Sequence, residues 1–190
     1  MLPDGLMKYL AFILLTCHLA SGQVDQKLVD SIKFVSDVPY ICRSQTLEQI
    51  RQSPVPTIGC GDILFWRLVQ QRQVIIPQLI EKLTDTTQTD ISVPYVGGQY
   101  SVADIAYSVL EEIIKDIPTF KLLGVNPKKY SSPSYAFWTT VRSRRREFKS
   151  AVTKWYKDNK DNLMWVDSDE TLSGDSALRH PSGGHFVVKR

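Results

Sequence analysis

Val24, Leu28, Ile32 and Val35 stand three or four positions apart among Asp, Lys and Ser, which predicts an amphipathic helix over residues 24–37 that ends before Pro39. Ser44 or Thr46 can cap a short helix through Arg51, closed off by Pro54 and Pro56. The turn Gly59-Cys60-Gly61-Asp62 then offers Asp62 as N-cap to residues 63–71, a stretch apolar round most of its circumference and so expected at the centre of the fold. Residues 74–83 follow as a helix, with Pro77 tolerated in the first turn. Ser101 and Asp104 make a capping-box-like start to a helix over 101–116, and Val102, Ile105, Ala106, Val109, Leu110, Ile113 and Ile114 form its wide apolar stripe.

Between these last two helices, residues 86–100 abandon the helical period. The Ile91-Ser92-Val93 alternation, Pro94 and the run Val96-Gly97-Gly98-Gln99-Tyr100 predict a small β-hairpin turning on Gly-Gly. Its Tyr95 and Tyr100, with Gly97 and Gly98 between them, either offer a surface to a sugar ring or an anionic group, or roof the apolar end of the helix pair. After Pro118 a loop is expected as far as Pro133, anchored by Phe120, Leu122, Leu123 and Tyr130. One long helix over 134–160 follows, with Trp138, Val141, Phe148, Val152 and Trp155 on its apolar face. Residues 167–184 are polar and read as loop or disordered chain, with His185-Phe-Val-Val188 either fraying or docking as a short strand.

Composition changes this picture mainly at the N-terminus. Lys8, the apolar run 9–20 and the small residues Ala20-Ser21-Gly22 follow the order of a secretory signal peptide, and the run is too short for the roughly 20 residues that span a bilayer. An alternative is a lipoprotein signal with Cys17 as the lipidated residue, although Thr16 stands where that motif wants Gly, Ala or Ser. The expected product is exported, periplasmic or extracellular, with no membrane span in the remainder. Residues 1–22 are then the leader, 23–166 an all-α helical domain with the hairpin inserted at 86–100, and 167–190 a polar, partly disordered tail. Export leaves Cys42 and Cys60, which read as a disulfide that stabilises by roughly 3 kcal/mol if unstrained, or else as two buried thiols. A net charge of +3, from 23 basic and 20 acidic residues, is a mixed surface and gives no nucleic-acid footprint.

The segments "IIPQLIEKLTD" and "VADIAYSVLEEI" together resemble a single HEAT-type helical repeat over residues 74–114, about a fifth of the chain. The resemblance implies that Pro77 bends the first helix, Asp85 caps the turn and Ala106 lets the helices approach closely. The chain departs from the pattern in the 16 residues between Asp85 and Val102 and in Ala103, where the family carries a base. The helix pair at 44–71 can stand as a degenerate neighbour. The whole chain also resembles exported bacterial proteins that carry a segment of the "VPYVGGQYSVADIAY" type. The fold class expected is therefore all-α, a HEAT-like or irregular helical domain with one small inserted β-hairpin.

Candidate chemistry is sparse. The run "RSRRR" at 142–146 spreads over more than half of a helix circumference, which is a solvated face or, through Arg142, Arg145 and Arg146, a contact for an anionic envelope component. His180 and His185 lie five apart in the tail near Asp169 and Asp175, a weak candidate for zinc because strong sites bring three or four ligands on rigid elements. A catalytic pairing of either histidine with Asp104 or Asp62 is weaker still. No cofactor is expected. The reading that follows is a non-enzymatic exported binding protein of the bacterial cell envelope, whose partner is a protein or an anionic envelope component. The alternative is a small secreted hydrolase with a cleft lined by the 86–100 hairpin and the tail histidines.

Overall fold

The computed structural model describes residues 26–39, 62–93, 97–140, 144–168 and 182–189. The leader at 1–22 with Cys17, the short helix at 44–51 and both Cys42 and Cys60 lie outside the described residues. Within them the chain is mostly helical, with two small two-stranded antiparallel sheets.

The helix that begins at Ser101 is the centre of the fold. It runs Val102–Ile113 (α4 in chain order), and Val102 to Tyr107, Val109, Leu110 and Ile113 are all buried. Its start follows from the capping box: the Ser101 N–H donates to Asp104 Oδ2 at 2.7 Å, which satisfies a donor that the first helical turn leaves without a partner. Around α4 pack α2 (Ile63–Val69), α3 (Ile76–Lys82) and α6 (Pro133–Thr140). Asp62 caps α2 by accepting from the Phe65 N–H at 2.7 Å, and its other oxygen accepts from the Ser36 N–H and hydroxyl, which ties the N-terminal segment down. That segment is shorter than its apolar period suggests: α1 (Gln26–Asp30) gives way to a 3₁₀ turn at Ser31–Phe34 and then to extended chain. A tight 3₁₀ turn at Arg72–Ile75 likewise leads into α3.

The inserted hairpin forms as the alternation predicts, from β1 (Gln88–Ser92) and β2 (Gln99–Ser101). Thr89, Ile91 and Val93 point inward and are buried, while residues 88, 90 and 92 are exposed. Gly97 and Gly98 take φ of 75° and 89°, and a Cβ at either would meet nothing, so backbone conformation and not space requires glycine there.

Two expectations need correction. The long helix at 134–160 is two helices, α6 and α7 (Arg145–Asn159), with 141–143 outside the described residues. In one straight helix Phe137 and Phe148 would lie roughly 16 Å apart along the axis. Their rings are instead 5.2 Å apart, both against Tyr107, which Phe137 stacks on at 4.4 Å. The expected loop at 118–133 contains α5 (Thr119–Leu123), ended by Gly124 at φ 65° in a left-handed cap, and a 3₁₀ turn at Pro127–Lys129. Of the two alternatives for 185–188, the docked strand is the one that forms, over 184–188. β3 (Leu163–Asp167) and β4 (Gly184–Val188) pair in continuous register from Leu163↔Val188 to Asp167↔Gly184. Phe186 is buried edge-on against Trp165 at 5.0 Å, and its carbonyl accepts the Lys115 N–H at 3.1 Å, so one aromatic residue anchors the strand.

Candidate functional site: a cationic face on α7

Of the arginine run, Arg142 lies outside the described residues, and the others point in three directions. Arg144 is exposed and pairs with Glu147 at 3.2 Å. Arg145 is no surface cation. It is 3% exposed, and its guanidinium donates to Asp104 Oδ1 at 2.7 Å and to Ser101 Oγ at 2.8 Å while lying over the Phe137 ring. The cause is register: Arg145 falls on the inward face of α7 with Phe148 and Val152, three and seven positions on. One side chain thus ties the start of α7 to the capping box of α4. A signal for this existed in the sequence, since Asp104 sits inside the apolar stripe of its helix and a buried carboxylate needs a cationic partner.

Arg146 is exposed, and it begins the opposite face. Lys149, Ser150, Thr153, Lys154 and Lys157 follow at helical spacing and, with Asp158, line a depression of about 410 Å³. Lys149 pairs with Glu81 of α3 at 2.6 Å and Lys154 with Asp158 at 2.7 Å. Arg146 and Lys157 form no ion pair with a described residue. Because Arg145, Phe148 and Val152 fix the rotation of the helix, these cations are displayed on a rigid support with the net positive charge outward.

The hairpin residues are less open. Tyr100 is half-buried and packs on the core, and Gly97 and Gly98 are exposed at the turn. Tyr95 lies outside the described residues, as does His180. His185 is half-buried on β4 opposite Val166. Asp104 and Asp62 are both engaged, by Arg145 and Ser101 and by Ser36 and Phe65 respectively. Among the described residues no three His, Cys, Asp or Glu side chains converge as a metal site. A second concavity of about 60 Å³ sits between Phe65, Glu111, Glu112, Lys115 and Ser134. Its carboxylates already have partners: Glu111 accepts from the Ser134 hydroxyl, and Glu112 pairs with Lys115 at 3.0 Å.

Buried beside it, Tyr107 shares a hydrogen bond of 2.5 Å with the Thr119 hydroxyl. Burial pushes its phenol well above the usual value of 10.0, the Glu111 charge adds to this and the Thr119 bond opposes it. Unfolded tyrosine ionises near pH 10 while the folded residue stays neutral, so stability is intact below that pH and falls as pH rises through it. Tyr107→Phe should therefore cost about 1 kcal/mol at neutral pH through the lost bond. It should also flatten the alkaline loss by about 1.4 kcal/mol in total between pH 9 and 11, as read from urea denaturation. An unchanged alkaline slope would remove Tyr107 as its source.

No helix among the described residues is long and apolar enough to cross a membrane. Comparison of the chain with protein-family models, with curated proteins and with solved structures returns no match.

Proposed function

We propose that this chain is an exported, non-enzymatic binding module of the cell envelope, and that the outward face of α7 is its contact with an anionic envelope component. The observation that carries the reading is the depression lined by Lys149, Lys154 and Lys157, held in place by the buried Arg145–Asp104 pair on the other side of the same helix. Exposed cations at one-turn spacing attract a polymer of repeated negative charge more effectively than their number alone suggests, because several contacts form together and steer the approach. The leader at 1–22, the Cys42–Cys60 disulfide and the HEAT-like character of the α3–α4 pair belong to this proposal. Ala106, fully buried on α4, supports the close approach of α3 and α4, which pack against each other.

The test is charge reversal on the outward face alone. Full-length chain carrying Arg146→Glu, Lys154→Glu and Lys157→Glu should lose binding to immobilised lipopolysaccharide by about tenfold or more, and wild-type binding should weaken steeply with added salt. Uncharged dextran serves as the blank. Thermal unfolding should move little, because exposed ion pairs such as Lys154–Asp158 contribute at most about 1 kcal/mol. Equal binding by both proteins, or binding insensitive to salt, would refute the assignment of α7. Binding of an acidic protein with no affinity for lipopolysaccharide would keep the face and change the partner.

A further inference from the structure

Among the described residues, the β3–β4 ribbon has one edge that is covered and one that is left open. The Lys189 N–H donates to Asn162 O at 2.9 Å and the Ser168 N–H to Gly183 O at 3.2 Å, which sets the phase of the ladder: even-numbered residues of β3 exchange bonds with β4. Phe186 and Val188 therefore face away from β3, and both are covered. Phe186 O accepts the Lys115 N–H, and the Val188 N–H donates to Asp116 Oδ2 at 3.0 Å. On the far side, Leu163, Trp165 and Asp167 turn their main-chain groups away from β4. Among the described residues nothing accepts from the Trp165 or Asp167 N–H, and nothing donates to the Leu163 or Trp165 carbonyl.

We propose that this edge is a homotypic interface, where a second copy of the chain adds its own β3 antiparallel about a two-fold axis through Trp165. The pattern is self-complementary. Trp165 faces Trp165 of the second copy and exchanges two bonds with it, and each Asp167 N–H meets the opposite Leu163 carbonyl. Every one of the open donors and acceptors named above is then used. The side chains agree with that register. Asp167 falls opposite Leu163 and not opposite another Asp167, so no like charges meet. Met164, 48% exposed, comes opposite the half-buried Val166 of the second copy on the outer face of the ribbon, which Val187 extends. The strand Leu-Met-Trp-Val-Asp carries none of the lysine, proline or bulge that ordinarily guards a free edge.

Sedimentation equilibrium of the full chain from about 1 μM to about 1 mM tests the proposal, which expects a monomer–dimer equilibrium in that range. Asp167→Pro removes one outward N–H per copy without touching the bonds to β4, and should weaken the dimer by about tenfold or more. Asp167→Ala keeps that N–H and should leave the dimer within about threefold of wild type. Met164→Lys, a change at an exposed side chain, places a charge against Val166 and should weaken the dimer as Asp167→Pro does. It also reads the edge by itself if the proline variant fails to give a native circular dichroism spectrum. A chain that stays monomeric throughout overturns the proposal, as does a dimer that Met164→Lys leaves unchanged.

Discussion

Replacing Arg145 with methionine should lower the unfolding free energy by about 3–5 kcal/mol, more than any single charge on the surface of the protein can account for. Methionine fills much of the same volume, so the loss is not a cavity effect. It comes from Asp104, whose side chain is 3% exposed and would be left with no cation beside it. The Ser101 N–H and hydroxyl still donate to that carboxylate, which holds the cost towards the lower end of the range. A companion variant separates the two parts. Asp104→Asn in the Arg145→Met background removes the stranded carboxyl group and retains an oxygen to accept the Ser101 N–H, so it should recover a large part of the loss. Urea denaturation at pH 7 with unchanged m-value is the measurement. A cost below about 1 kcal/mol for Arg145→Met would show that the pair is dispensable and that α7 is positioned by Phe148 and Val152 alone.

That pair also marks where the sequence stops being readable. The positions of α2, α3 and α4 follow from apolar spacing and from Asp62 and Ser101 as caps, because both signals are local and act within one turn. The hairpin at 88–101 is equally local, with an alternating strand and two glycines in left-handed conformations. The split between α6 and α7 is not. Residues 134–160 contain neither glycine nor proline, and arginine is a good helix former, so the local rules favour one continuous helix. The decision is made by Tyr107, distant in sequence, whose ring takes Phe137 on its face and Phe148 at its edge. Tertiary packing overrides propensity there, and only the position of α4 could have revealed it.

The candidate site shows the same limit on a finer scale. Successive residues on a helix are rotated by about 100°, so Arg145 and Arg146 are chemically identical neighbours with opposite fates. Grouping them by composition made one basic patch of what is in fact a buried tie and the first cation of an exposed row. The offset of Phe148 and Val152 separates them, once the start of α7 is known. For β4 the difficulty is length, since a run of four residues after a polar stretch carries no period strong enough to distinguish docking from fraying. What fixes it is the burial of Phe186 against Trp165 and its bond to Lys115, both long-range.

The ribbon also supplies the second large expected effect, at a residue that composition alone assigns to a flexible tail. Gly184→Ala should destabilise the protein by about 3 kcal/mol or more, through backbone and packing together. Gly184 has φ of 153°, which side chains of L-residues rarely adopt. A Cβ built there would lie 2.3 Å from the Val166 carbonyl oxygen and 2.7 Å from the Trp165 ring. The oxygen belongs to the main chain of the partner strand, so it cannot yield as a flexible side chain would. The ring is itself in contact, edge-on with Phe186 at 5.0 Å and with the Arg72 guanidinium 4.1 Å from its centre. Relief therefore requires the two strands to separate at this end, and separation withdraws the support that holds Phe186 in the core. Hydrogen exchange resolves the mechanism. The amides of Met164 and Val166, bonded across the ladder, should lose protection in Gly184→Ala far more than those of α4, because the ribbon opens before the domain does. Equal loss in both would mean that the ribbon and the helical core unfold as one unit. Full protection at Met164 and Val166 would mean that the strands accommodate a methyl group that the geometry leaves no room for.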